Sequence, residues 1–177
     1  MLDRMAVGDL PPKHHVRHTS PTGNLYWEQC VTRRGFDGPY SILYHEHAPH
    51  HQLPADLPYG WKKPEGPTLR TLQKRHVRTQ AMEDLSGPPV NARRAITFND
   101  DVVVHVLRPD ADDPVYVSNA DGDELIFVLE GGGLLRSSFG DLRFEKHDYL
   151  LIPKGVIYRL LPDPGAQYWL SFECPGG

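Results

Sequence analysis

The chain has 177 residues, with 19 Lys and Arg against 23 Asp and Glu and only two cysteines. That is enough for one ordinary domain burying roughly two thirds of its unfolded surface. There is no apolar run of the about 18 residues that a membrane helix needs. The first residues, MLDRMAVGDLPPKHH, lack the apolar stretch of a signal peptide, so a cytoplasmic location is expected. In that compartment Cys30 and Cys174 are expected to be buried or idle thiols rather than a bridge.

In chain order, NLYWEQCV (24–31) and SILYHEHA (41–48) read as two strands joined by the turn material TRRGFDGPY. A long proline-rich connection, 51–73, follows, with Tyr59 and Trp61 as candidate surface anchors. Residues 1–80 hold 11 Lys and Arg against 7 Asp and Glu, a net of +4, whereas residues 81–177 hold 8 against 16, a net of −8. The basic stretch RTLQKRHVRTQ (70–80) has neither interleaved aromatics nor a DNA-reading motif, so nucleic acid is not expected as a partner. It reads as a solvated strip that could dock on the acidic half of this or a neighbouring chain.

From residue 95 the pattern becomes regular. VVVHVL (102–107), VYV (115–117), ELIFVL (124–129), LLRSSF (134–139), LRFE (142–145), YLLIP (149–153), VIYRLL (156–161) and YWLSFE (168–173) alternate with turn residues. Short β-prone runs at such spacing predict an antiparallel, all-β jelly-roll double sheet. No sustained 3.6-residue period supports crossover helices. The expected organisation is residues 1–94 as N-terminal strands with a wrapping arm and 95–177 as the barrel core, together one structural domain.

Two segments carry the candidate site. NADGDELIFVLEG (119–131) is similar to the first cupin motif, in which a His-x-His pair precedes a Glu and a Gly closes the hairpin. DYLLIPKGVIY (148–158) is similar to the second, with Pro153 and Gly155 and a third His expected at Tyr158. The His-x-His positions hold Ser118 and Ala120, or Val117 and Asn119 with a spacer one longer. Only Glu124 remains of four ligands. Iron or manganese needs at least three protein donors, and Ser, Ala and Tyr do not replace neutral imidazoles. Glu124 is therefore expected to hydrogen-bond or ion-pair with a neighbouring group. The acidic run does not fit a calcium loop, and Asn-Ala-Asp-Gly reads as turn chemistry.

The rival cluster is YHEHAPHH (44–51). His45 and His47 lie on one side of a strand with His50 and His51 just beyond, a possible metal cage. His14, His15 and His18 form a second cluster with less structural context, while His105 and His147 read as single packing or turn residues. No G-x-S-x-G occurs, and Cys30 has no recognisable basic partner for a nucleophilic site.

Taken in order, GDLPPKHHVRHTSPTGNLYWEQ, GFDGPYSILYHEH, LQKRHVRT, FNDDVVVHVLRP, NADGDELIFVLEG, FGDLRFEKHDYLLIPKG and YWLSFE resemble the homogentisate 1,2-dioxygenase family from near residue 8 to the end of the chain. The resemblance implies a cupin fold, an oligomer, and non-haem Fe(II) chemistry that opens the homogentisate ring with O₂ to give maleylacetoacetate in tyrosine and phenylalanine breakdown. It also implies that the iron ligands and active-site His belong to a second barrel, so no catalytic residue carries over to this chain. The expectation is an N-terminal, structural half that binds no cofactor itself and partners a catalytic half or self-associates. Two alternatives stand beside it: a stand-alone cupin holding an organic ligand near Tyr158, and a metal-dependent enzyme built on His45, His47, His50 and His51.

Overall fold

Alternation of burial along the strands organises the protein. The computed structural model describes residues 17–32, 35, 38–49, 64–66, 71 and 74–175. Contacts divide the chain into two compact units, Met1–Leu57 and Pro58–Gly177. Residue 94 lies inside the second unit. The stretch before that point belongs with the barrel because backbone and side-chain bonds fasten it there: Arg108 N donates to Leu85 O (2.8 Å) and Val90 N to Asp113 Oδ1 (2.8 Å).

The first unit contains a hairpin of β1 (Trp27–Thr32) and β2 (Tyr40–His45), antiparallel with Trp27 opposite His45 and Thr32 opposite Tyr40. Both expected strands are present, each shifted by a few residues. His14, His15, His50, His51, Tyr59 and Trp61 lie outside the described residues.

Among the described residues of the second unit a 3₁₀ turn, Thr79–Ala81, precedes eight strands. A five-stranded sheet runs in the order β3 (Arg94–Phe98), β4 (Val103–Leu107), β10 (Tyr168–Pro175), β5 (Gly122–Glu130), β8 (Tyr149–Ile152). A three-stranded sheet runs β7 (Gly140–Phe144), β6 (Gly133–Ser137), β9 (Tyr158–Pro162). Every pairing is antiparallel. The fold is the antiparallel, all-β jelly-roll double sheet that the spacing of strands and turns predicts. No helix among the described residues is long and apolar enough to cross a membrane.

One core lies between the sheets. β5 buries every second residue, Gly122, Glu124, Ile126 and Val128. These meet Leu107, Leu150, Ile152 and Trp169 of the same sheet, and Leu135, Phe144, Tyr158 and Leu160 of the other. Trp169 meets Phe144 edge-on, with ring centroids 5.3 Å apart, the arrangement an aromatic quadrupole favours. Gly122 allows β5 and β10 to close up: a Cβ there would lie 2.1 Å from the Cys174 carbonyl oxygen.

Candidate functional site

In a row of apolar inward-facing residues, β5 presents one carboxylate to the barrel interior. Glu124 is fully buried, and a buried carboxylate is tolerated only with partners. It has two. Arg93, immediately before β3, donates from Nη1 to Glu124 Oε2 (2.5 Å). Tyr158, at the start of β9, donates its hydroxyl to both Glu124 oxygens (3.0 Å each). The loop closes because Arg93 Nη2 also donates to the Tyr158 oxygen (3.0 Å), while Nη1 lies 3.5 Å from Ser171 Oγ of β10. The Arg93 side chain is 3% exposed.

Electrostatics follow from this geometry. Burial works against the charge on Arg93, but attraction from Tyr158 and Glu124 more than offsets it, so the guanidinium is held in its charged form. Burial, with Glu124 adding to it, pushes the Tyr158 hydroxyl up and keeps it a neutral donor. His105 of β4 lies across from Ser171 in the sheet register and is also buried. Burial first, and the Arg93 charge second, lower its pKa to about 4, so it is a neutral imidazole. Its Nδ1 has no hydrogen-bond partner among the described residues.

The two motif turns are tied to each other and to β10. Asn119 is buried, and its Oδ1 accepts the N–H groups of Asp121 (2.9 Å) and Gly122 (3.0 Å), the Asx geometry that sets the turn into β5. Its Nδ2 donates to the buried Glu173 Oε1 of β10 (2.9 Å). The Pro153–Gly155 turn docks on the same loop, through Gly155 N to Asn119 O (2.8 Å) and Lys154 N to Asp123 Oδ1 (2.7 Å).

Of the sequence-predicted site residues, the structure unites Glu124 and Tyr158. Ser118 and Ala120 are exposed, because the Asx turn points Asn119 inward and its two neighbours outward. The inward pair is therefore Val117 and Asn119, the frame with the longer spacer, and Val117 packs on the core. His45 pairs with Gln29 through Nε2 and Oε1 (2.8 Å), and His47 is exposed. Among the described residues no three His, Cys, Asp or Glu side chains are grouped to hold a metal. His147 sits in the β7–β8 turn in a left-handed conformation (φ 77°). Cys30 and Cys174 are exposed free thiols, neither bridged nor buried.

Arg93 is the residue the sequence reading does not find. It sits in a charged doublet, Arg93-Arg94, outside both motifs and every β-prone run of the sequence. A parity signal exists nonetheless: Ala95 pairs with the inward-facing His105, and a residue two before it shares its face. The fit to Fe(II) fails on this donor set. Glu124 is engaged by a guanidinium, the buried Glu173 opposite it is held by Asn119, and with His105 they form no metal-holding group of three among the described residues. A divalent ion at about 4 Å from the guanidinium charge is repelled by roughly 8 kcal/mol at an effective dielectric of about 20.

No protein-family model matches the chain. A curated protein of Saccharolobus solfataricus, named "Putative dioxygenase SSO1533", is 31% identical over 165 residues, which covers 92% of this chain and 42% of that protein. The chain thus spans about two fifths of the length of this relative. Among solved structures, a cupin protein from Bacteroides fragilis covers 62% of this chain and 88% of its own, with TM-score 0.47 and 16% identity. A cupin-2 domain containing protein from Shewanella frigidimarina covers 46% and 78%, with TM-score 0.42 and 21% identity.

Proposed function

We propose that the chain is the non-catalytic, N-terminal cupin barrel of a homogentisate 1,2-dioxygenase-like protein. The observation that carries this reading is the extent of the match: nearly all of the chain aligns with a minor share of a longer relative whose name is that of a dioxygenase. The ordered segments from GDLPPKHH to YWLSFE support homogentisate as the substrate of the complete protein. The interior supports a non-catalytic part, because Glu124, at the motif position of a metal ligand, is taken up by Arg93 and Tyr158. In this reading the catalytic Fe(II) belongs to a second barrel, and the present barrel packs against it and builds subunit contacts.

The test is iron binding combined with oxygen uptake. After anaerobic loading with Fe(II) and removal of loose metal, the isolated chain is expected to hold near-zero iron and to show no homogentisate-dependent O₂ consumption. About one iron per chain with turnover, as a complete three-donor site would give, would overturn the proposal. Mutation of His45 and His47 would then come first.

A further inference from the structure

The barrel interior has the plan of a cation site without the chemistry of a metal site. Oxygens from three strands converge on one point: Glu124 from β5, Tyr158 from β9 and Ser171 from β10, at 2.5, 3.0 and 3.5 Å from the terminal nitrogens of Arg93. These strands belong to both sheets, so the group held among them bridges the barrel as a metal ion would. A guanidinium suits the seat because it is planar and offers several donors in a fixed fork, so two nitrogens reach different oxygens at once. An ammonium presents a single point charge and cannot span the same set. The neighbouring imidazole, His105, adds no second positive charge, since it is neutral at physiological pH.

We infer that the interior is a guanidinium seat, organised around the chain's own Arg93 as resident cation in place of a divalent metal, and that it fastens β5, β9 and β10 to the segment entering β3. This holds whatever larger enzyme the barrel serves. Removing the Arg93 side chain leaves a buried carboxylate uncompensated beside a void shaped for a planar cation. A small guanidinium ion from solution can fill that void. Divalent metals cannot do so well, because among the described residues no three His, Cys, Asp or Glu side chains are grouped to give the donor set they need.

The experiment is chemical rescue of Arg93→Ala, followed by thermal unfolding. The variant is expected to melt about 10 °C or more below the parent, as breaking a buried charge pair in a chain of this size does. Millimolar methylguanidinium should recover a large part of that shift in Arg93→Ala. It should recover none in the parent or in Arg93→Ala combined with Glu124→Gln. Methylammonium and sodium chloride serve as charge and salt controls. Rescue by the controls to the same degree, rescue that persists without the Glu124 carboxylate, or rescue by Mn(II) or Fe(II) instead would each overturn the inference. Should Arg93→Ala not fold, ¹⁵N spectra of the arginine side chains decide on the parent protein itself. One guanidinium is expected to show separate, slowly rotating Nη signals. A spectrum in which every arginine averages by fast rotation would overturn the inference.

Discussion

Glu124, Arg93 and Tyr158 form a closed ring of charge-assisted hydrogen bonds, and their worth is asymmetric. As a complete set, the buried pair gains little over an apolar core, since desolvation cancels much of the attraction. Broken, it leaves a naked charge. Glu124→Gln is therefore expected to destabilise by about 3–5 kcal/mol, because the guanidinium stays buried without its counter-charge. Tyr158→Phe should cost about 1–3 kcal/mol, since it removes one donor and one acceptor but no charge. Urea unfolding of the two singles and the double gives the coupling energy, and strict additivity would mean that the two side chains do not act as a unit. His105 contributes a pH dependence of defined sign. Its folded pKa of about 4 lies below its ordinary 6.5, so between these values the unfolded chain binds the proton more readily. Its contribution to stability is thus complete above pH 6.5 and is lost as pH falls toward 4. Replacing His105 with Leu should flatten the acid limb of the parent's stability curve in that window. Parallel curves for the two proteins would refute the assignment.

At the scale of elements, what holds the barrel's entry segment is a side chain in a loop. Asp113 is fully buried, accepts Val90 N at Oδ1 (2.8 Å) and Leu160 N at Oδ2 (2.9 Å), and donates its own N–H to Leu160 O of β9 (3.0 Å). Both carboxylate oxygens are needed as acceptors. Asp113→Asn turns one of them into a donor facing an N–H, so it is expected to destabilise nearly as much as Asp113→Ala, by about 2–4 kcal/mol from two orphaned donors. A neutral Asn variant in chemical denaturation would show that Asp113 is not a staple. The sequence discloses these elements unevenly. ELIFVL, YLLI and YWLSFE are apolar, β-prone and bounded by Gly or Pro, and all three are strands where expected. β3 (RAITF) escapes because its first residue is charged and a bulge between Ala95 and Thr97 breaks its alternation. VYV reads as a strand but makes only a single bridge, Val117 to Tyr158, between Pro114 and the Asx turn at Asn119. The site was legible by half for the same reason. Glu124 and Tyr158 lie in strands with clear periodicity, whereas Arg93 lies just outside a strand the pattern does not announce.

At the scale of the whole molecule, strands apolar at consecutive positions are those covered on both faces. β5 and β8 have this pattern. Their inner residues, Ile126, Val128, Leu150 and Ile152, fill the core. Their outer residues pair across the sheet as Leu125 with Leu151 and Phe127 with Tyr149, the last two rings stacking with centroids 4.5 Å apart. Yet Tyr149 is 64% and Leu151 62% exposed, on an edge strand without a charged residue in it. Edge strands are ordinarily blunted by charge, and apolar patches left in water mark contact surfaces. Under the proposed function this face is where the second barrel of the longer protein packs, and without that partner it should make the isolated chain self-associate. Combining Tyr149→Lys with Leu151→Glu should leave unfolding stability within about 0.5 kcal/mol of the parent, because both side chains already face water. The same change should abolish concentration-dependent association in sedimentation velocity. Equal association of parent and variant would assign the contact to another surface. A parent that stays monomeric and binds no apolar dye would remove the reason to expect a missing partner at this face.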